Sequence, residues 1–279
     1  MFKRISLLTR PATAVSPVDE RTRIAATARV TAGAVVRGQA VVGGSAVALG
    51  AVTVADRAQL VEHGMLGGAA TLRGRAVLSG WAAAVDHATI DGDAWVFGRA
   101  VISGHASIAG HGQVFGHATV TGGAVVDGHA WIHGHATVTG QAWVTGGAQV
   151  GGHAIVCGTA TIAGPLRIGG HTVIGDGADI TDPDHFETHR LSWGEYVTLY
   201  RCDDKRVGLG RSETMHGPVV LGRTHLPDGR LAARIEELTQ LWAPVDPSAL
   251  GLIRASWTSS GRPSARARVR RAGPGRGCR

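Results

Sequence analysis

Every sixth residue from Ile24 to Ile180 is aliphatic, through 27 consecutive positions. Twenty-five of these are Val, Ile or Leu, and the other two are Ala48 and Ala84. With 44% apolar residues in the chain, random placement gives such a run with a probability of roughly 10⁻¹⁰. Two residues after each aliphatic position comes Gly, unbroken from Gly92 to Gly170. Four residues after it comes Ala, from Ala70 to Ala160, with Gly112 as the exception. The unit is V-x-G-x-A-x, seen cleanly in Val138-Thr-Gly-Gln-Ala-Trp143.

Six residues are too few for a helix–turn–helix repeat, and the Gly content opposes a helix interior. They suit one short strand and one tight corner. A segment such as Thr137-Val-Thr139 reads as a strand with its middle side chain inward and both Thr outward. Gly140-Gln-Ala142 reads as the corner, with Gly supplying unusual backbone angles and Ala fitting a crowded angle of the coil. Three units make a triangular coil of 18 residues, and 27 units make nine coils. At about 4.8 Å per coil the prism is about 43 Å long. The chain divides into a lead-in (1–23), the repeat (24–180), a C-terminal extension (181–257) and a tail (258–279).

Charge is concentrated at one end. The chain has 28 Lys and Arg against 21 Asp and Glu, but seven Arg and no acid follow Trp257. That leaves 21 basic and 21 acidic residues before the tail, so the repeat is not a basic nucleic-acid platform. The tail, TSSGRPSARARVRRAGPGRGCR, has no apolar core pattern and is the one segment suited to nucleic acid or acidic lipid. Cys157, Cys202 and Cys278 form no spacing pattern, which argues for a reducing compartment. The apolar stretch Ile5–Leu8 is too short for a secretory signal, and no run of 18 apolar residues exists. A cytoplasmic protein with no membrane span is expected.

The V-x-G-x-A-x repeat over 24–180 resembles the hexapeptide-repeat superfamily, whose members form left-handed parallel β-helices. The resemblance implies an all-β, single-stranded β-solenoid, often assembled as a trimer. It also implies an acyltransferase using a CoA or acyl-carrier-protein thioester, with the active site between subunits; some relatives are zinc-dependent γ-class carbonic anhydrases. The phase of the Gly is similar to that of bacterial hexapeptide proteins without an assigned activity.

Nine of the 14 His fall in one phase, between Gly and Ala, including His63, His117, His135, His153 and His171. The plain reading is corner chemistry, because His tolerates left-handed backbone angles better than most residues. Residues 18 apart stack on successive coils, so one edge reads His63, Trp81, Arg99, His117, His135, His153, His171. Ladder neighbours point outward in parallel, and no His pair reproduces the spacing of the zinc enzymes, so no metal site is expected.

The same arithmetic gathers Trp95, Phe97, Gln113, Phe115, Trp131 and His133 on one face, beside the edge that carries Arg99, His117 and His135. Clustered outward aromatics suit an oligomer interface, a surface covered by the C-terminal segment, or a ligand groove. The other two faces read as mostly small and polar, with Ser103, Thr121 and Thr139 in one row. No loop interrupts the 27 units, although enzymes of the resembling family commonly build their acceptor pocket from one.

Beyond Ile180, Asp182-Pro-Asp-His185 reads as a loop, and Asp182, Asp184, His185 and His189 as its solvated residues. Residues 195–201 and 205–209 read as a hairpin, and 229–242 as a helix capped by Asp228 with Leu231, Ile235, Leu238 and Leu241 or Trp242 on one face. This extension is expected to cover the open end of the prism.

Two functions follow. One is a non-catalytic assembly or binding scaffold, working as a homo-oligomer, trimer favoured, through the face of Trp95, Phe97, Phe115, Trp131 and His133 with Arg99. The other, implied by the resemblance, is transfer of an acyl group from acyl-CoA to an amine or hydroxyl, with His117 or His135 as general base.

Overall fold

A computed structural model describes residues 21–191, 194–203, 207–212 and 229–242. Its architecture follows from the six-residue period. Twenty-seven strands of two residues each run from β1 (Arg23–Ile24) to β27 (Asp179–Ile180). They form three parallel nine-stranded sheets, taking β1, β2 and β3 as the first strands of sheets one, two and three. Each strand pairs with the strand one coil on, 18 residues away, as in Val120↔Val138 and Val138↔Val156. The register holds from Arg23↔Val41 to Thr161↔Asp179.

The second residue of every strand is the sixth-position aliphatic, and it points inward. From Val36 to Val156 these side chains are fully buried, as are the Ala residues of the corners. The core is therefore three columns of mainly Val, Ile and Leu, one from each sheet, alternating with three columns mainly of Ala at the corners. At the first coil Ile24, Ala28 and Val30 are only partly buried. No helix among the described residues is long and apolar enough to cross a membrane.

The corners depend on the Gly phase. These glycines have φ from +60° to +98°, the left-handed region that costs other residues about 1–2 kcal/mol. A Cβ on Gly134 would lie 3.0 Å from the backbone N of Gly152 on the next coil. Three non-Gly residues stand in this phase with positive φ: Asp56, Glu62 and Asp86. Each spends its carboxylate on the next coil's corner. Asp56 Oδ2 accepts from the Gly74 N–H at 3.1 Å, Glu62 Oε2 from Gly80 at 2.8 Å and Asp86 Oδ2 from Gly104 at 3.0 Å. These charge-assisted bonds offset the backbone cost.

This geometry corrects the corner reading of the histidines. The left-handed residue is the one before each His, and no His has positive φ among the described residues. Backbone tolerance therefore does not explain why His occupies that phase.

The C-terminal extension closes the far end. The 3-10 turn Pro183–His185 follows Asp182, whose carboxylate accepts from the Asp184 N–H. Next come three antiparallel strands, β28 (Phe186–Arg190), β29 (Tyr196–Arg201) and β30 (Val207–Ser212). The expected hairpin is β29–β30. The stretch expected as a solvated loop is instead partly a strand, and His189 lies on β28, paired across to Val197. The alternation in Phe186-Glu-Thr-His-Arg190 is too short and too polar to declare itself without its partner strand.

The small sheet seals the last coil through polar and apolar contacts together. The Val173 N–H donates to Thr198 Oγ1 at 3.0 Å, and Thr188 Oγ1 lies 3.0 Å from both Thr172 and Thr198 hydroxyls. Cys202 bridges to Ala178, and Tyr200 and Cys202 join the main core. Burial pushes the Tyr200 phenol up to about 12. On the outer side, α1 (Gly229–Trp242) lays Ile235, Leu238 and Trp242 against Val197 and Leu199. Trp242 takes the buried position and Leu241 is exposed. Asp228 lies outside the described residues, as do the basic tail and the lead-in through residue 20. Arg234 of α1 clasps Glu187 of β28 with bonds of 3.0 and 3.2 Å from Nε and 3.0 Å from Nη2.

Two outcomes are expected. Val138→Asp sets an unpaired carboxylate inside a column whose neighbours Val120 and Val156 are fully buried, and should cost more than about 4 kcal/mol or abolish folding, read by urea unfolding. The second concerns the clasp. Burial raises the Glu187 carboxyl, but hydrogen bonds from Arg234 and His189 outweigh it and hold the group below its ordinary 4.5. The folded state therefore keeps Glu187 ionised where the unfolded chain would protonate it. Its stabilisation is present above 4.5 and is lost as pH falls through the lower folded value. Protection factors of the α1 amides, with the intrinsic pH dependence of exchange removed, should fall across that acid window in the wild type, with a shallower dependence in Glu187→Gln.

Candidate functional site

Sheet one presents the aromatic face. Strands β13 (Trp95–Val96), β16 (Gln113–Val114) and β19 (Trp131–Ile132) are consecutive and in register, so the residues flanking each buried aliphatic form two outward columns. In one column the Phe97 and Phe115 rings stack with centroids 4.9 Å apart and 6° between planes. His133 continues the column at 5.4 Å and 16°. In the other, Trp95 tilts against Phe97 at 4.9 Å, and Trp131 meets Phe115 edge-on at 6.4 Å. Trp95 and Trp131 remain 47% and 40% exposed, so the described C-terminal elements do not cover this face. The His133 ring lies over Gly151 on the next coil, where a Cβ would overlap it.

The edge between sheets one and two carries the second array. His117, His135, His153 and His171 stand one above another with parallel rings 4.9, 5.1 and 5.2 Å apart. Tyr196 of the C-terminal sheet adds a ring on His171 at 4.6 Å, and the Arg190 guanidinium lies 6.0 Å from the Tyr196 centroid. Farther up, His63 stacks on Trp81 at 4.1 Å, and Arg99 occupies the coil between Trp81 and His117. The expected ladder is thus observed. Its extension by Tyr196 was not legible, because it required knowing where the C-terminal sheet docks. Stacking of flat rings at the coil spacing supplies the reason for His in this phase that backbone angle does not.

Two features of the remaining surface differ from expectation. Sheet two is apolar in its first half, with Leu49, Met65 and Val101 exposed, and only Ser103 and Thr121, hydrogen-bonded at 3.0 Å, begin the polar row. Cys157 is buried beneath the C-terminal sheet's Tyr200 side of the prism. Sheet three carries the exposed Trp143 together with the ladder ion pair Arg73–Asp91 at 2.8 Å.

His117 and His135 are held by ring stacking, and the His ion pair among the described residues is that of His189 with Glu187. Among the described residues no three His, Cys, Asp or Glu side chains converge as a metal set. A scan against models of known protein families matches none, and a search of curated proteins finds no match.

Gly151→Ala isolates the support of the aromatic column. The added methyl should displace His133 and unstack it from Phe115, shifting the ring-current-dependent NMR signals of both. The φ of Gly151 is not in the left-handed region, so the melting temperature should change little.

Proposed function

We propose that the chain is a non-catalytic assembly scaffold, a hexapeptide-type left-handed β-helix that joins copies of itself through the aromatic face of sheet one. The observation that carries this reading is the exposure of Trp95 and Trp131 around the stacked Phe97 and Phe115 on a flat sheet. Aromatic residues enrich interface cores, and a contiguous patch of this kind is uncommon on a monomer's free surface. Arg99 and His133 border the rings and would form the polar rim. Three copies around an axis parallel to the solenoid would bring like faces together in register. A uniform run of two-residue strands without an inserted loop supports a structural role over a catalytic one.

The acyl-CoA reading draws on the family resemblance and on the nearness of His117 and His135 to the aromatic face. A thioester-cleavage assay and a thermal shift with CoA separate it from the scaffold reading. Turnover that is lost in His117→Asn and His135→Asn would replace the present proposal.

Sedimentation tests the assembly directly. Wild type should run as an oligomer at micromolar concentration, and the double variant Phe97→Ser with Trp131→Ser should run as a folded monomer. A monomeric wild type counts against the interface.

A further inference from the structure

Acidic groups of the solenoid are distributed unevenly. Sheets one and two have no Asp or Glu in any outward position, and their shared edge has only Glu62. Sheet three and its two edges hold Asp56, Asp86, Asp91, Asp93, Asp127, Asp176 and Asp179. From Arg99 to His171, then, the shared edge is an acid-free ridge of one Arg and four stacked imidazoles. His117, His135 and His153 are exposed along it. At its cap end stand Arg190 and Glu195, the latter next to Tyr196 in the chain.

A second donor row runs beside the rings. In each coil the residue after the corner Gly donates its N–H to the next coil's Gly carbonyl, as His117 does to Gly134 and His135 to Gly152, both at 2.7 Å. The corner Gly's own N–H takes no part in that ladder. The protein shows what this N–H binds: at Gly74, Gly80 and Gly104 it donates to the carboxylates of Asp56, Glu62 and Asp86, one case on each of the three edges. Along the ridge the residues in the place of those acids are Gly98, Gly116, Gly134 and Gly152. The ridge therefore repeats, coil after coil, half of a carboxylate site that the same backbone completes elsewhere, with an imidazole beside it to donate a second hydrogen bond.

We propose that this ridge binds a linear polyuronate, a 1,4-linked sugar chain with one carboxylate on each ring. Successive rings of such a chain turn about its axis, so alternate carboxylates face the same side; two rings advance by nearly two coil spacings of about 4.8 Å each, and every second carboxylate meets every second corner. Each carboxylate that faces the ridge accepts from a corner glycine N–H and from the adjacent imidazole, and Arg99 pairs with the carboxylate at one end. Thr119 and Thr137, outward on sheet two beside the ridge, offer hydroxyls to the ring oxygens. The pitch selects the ligand: a flexible polypeptide of acids carries its charges on longer arms without ring spacing, and a single-stranded nucleic acid spaces its phosphates more widely.

The test measures fluorescence anisotropy of a labelled polygalacturonate decamer in mildly acidic, low-salt buffer. The full chain is used with its seven tail arginines after Trp257 changed to Gln, so that the tail does not mask the ridge. Methyl-esterified decamer, polyglutamate and a thymidine oligonucleotide of equal charge are the comparison ligands. The decamer should bind at least tenfold more tightly than any of them. Two variants remove the site differently. His135→Gln with His153→Gln takes away the ring donors, and Gly116→Asp with Gly134→Asp fills the corners as Asp86 does. Each should weaken binding at least tenfold while the circular dichroism of the solenoid is kept. Absence of binding, equal binding of polyglutamate or the oligonucleotide, or full affinity in either folded variant overturns the proposal. The oligomeric state measured in the same samples reports separately on the sheet-one interface.

Discussion

The structure depends on turning three corners in 18 residues while keeping every strand under its predecessor. A tight corner needs a backbone in the left-handed region, and glycine reaches it at least cost. Glycine there has a second virtue, because successive corners pass so near that an added Cβ would press on the next coil's backbone. With the corners set, the strands are only two residues long, the inward side chain is fixed, and the core has room for three aliphatic columns, one from each sheet, and three mainly of alanine. Hydrophobic burial holds the coil together, but the corner decides what can be buried.

That hierarchy explains which parts of the protein were legible in its sequence. The aliphatic position is dictated by a local, repeated constraint, so Val138 could be placed inward without any structure. Face membership is arithmetic once the coil length is known, and Trp95, Phe97, Phe115 and Trp131 fell together for that reason. The corner histidines were placed correctly but for the wrong cause, since their φ is ordinary and the residue before them is the strained one. The carboxylates at Asp56, Glu62 and Asp86 did leave a signal: they are acids in a glycine phase. Strand β28 left almost none, because its pairing depends on partners six to fourteen residues away on another strand.

The two arrays on the surface draw on the same ladder in different ways. On sheet one, side chains large enough to touch between coils make a cohesive aromatic surface, and Gly151 provides the space in which His133 lies. On the adjoining edge, identical rings repeat at the coil spacing and are closed off by Tyr196 from the cap. The cap thus does more than cover strand edges. Its Thr188 and Thr198 hydroxyls lock its position on the last coil, and that position extends the ring column by one member.

The period of six and the coil of 18 impose different tolerances on change in length. Deleting one hexapeptide before Trp95 would leave every aliphatic residue inward and every corner glycine at a corner, so the chain would still wind. It would, however, turn all later coils by a third of a revolution relative to the earlier ones. Arg73 and Asp91 span such a point, and their pairing across one coil would be broken. Folding is thus indifferent to steps of six, whereas any surface pattern that crosses coils survives only steps of 18. In lineages of such a chain, whole coils can be gained or lost as units, and partial ones scramble whatever the surface has learned to recognise.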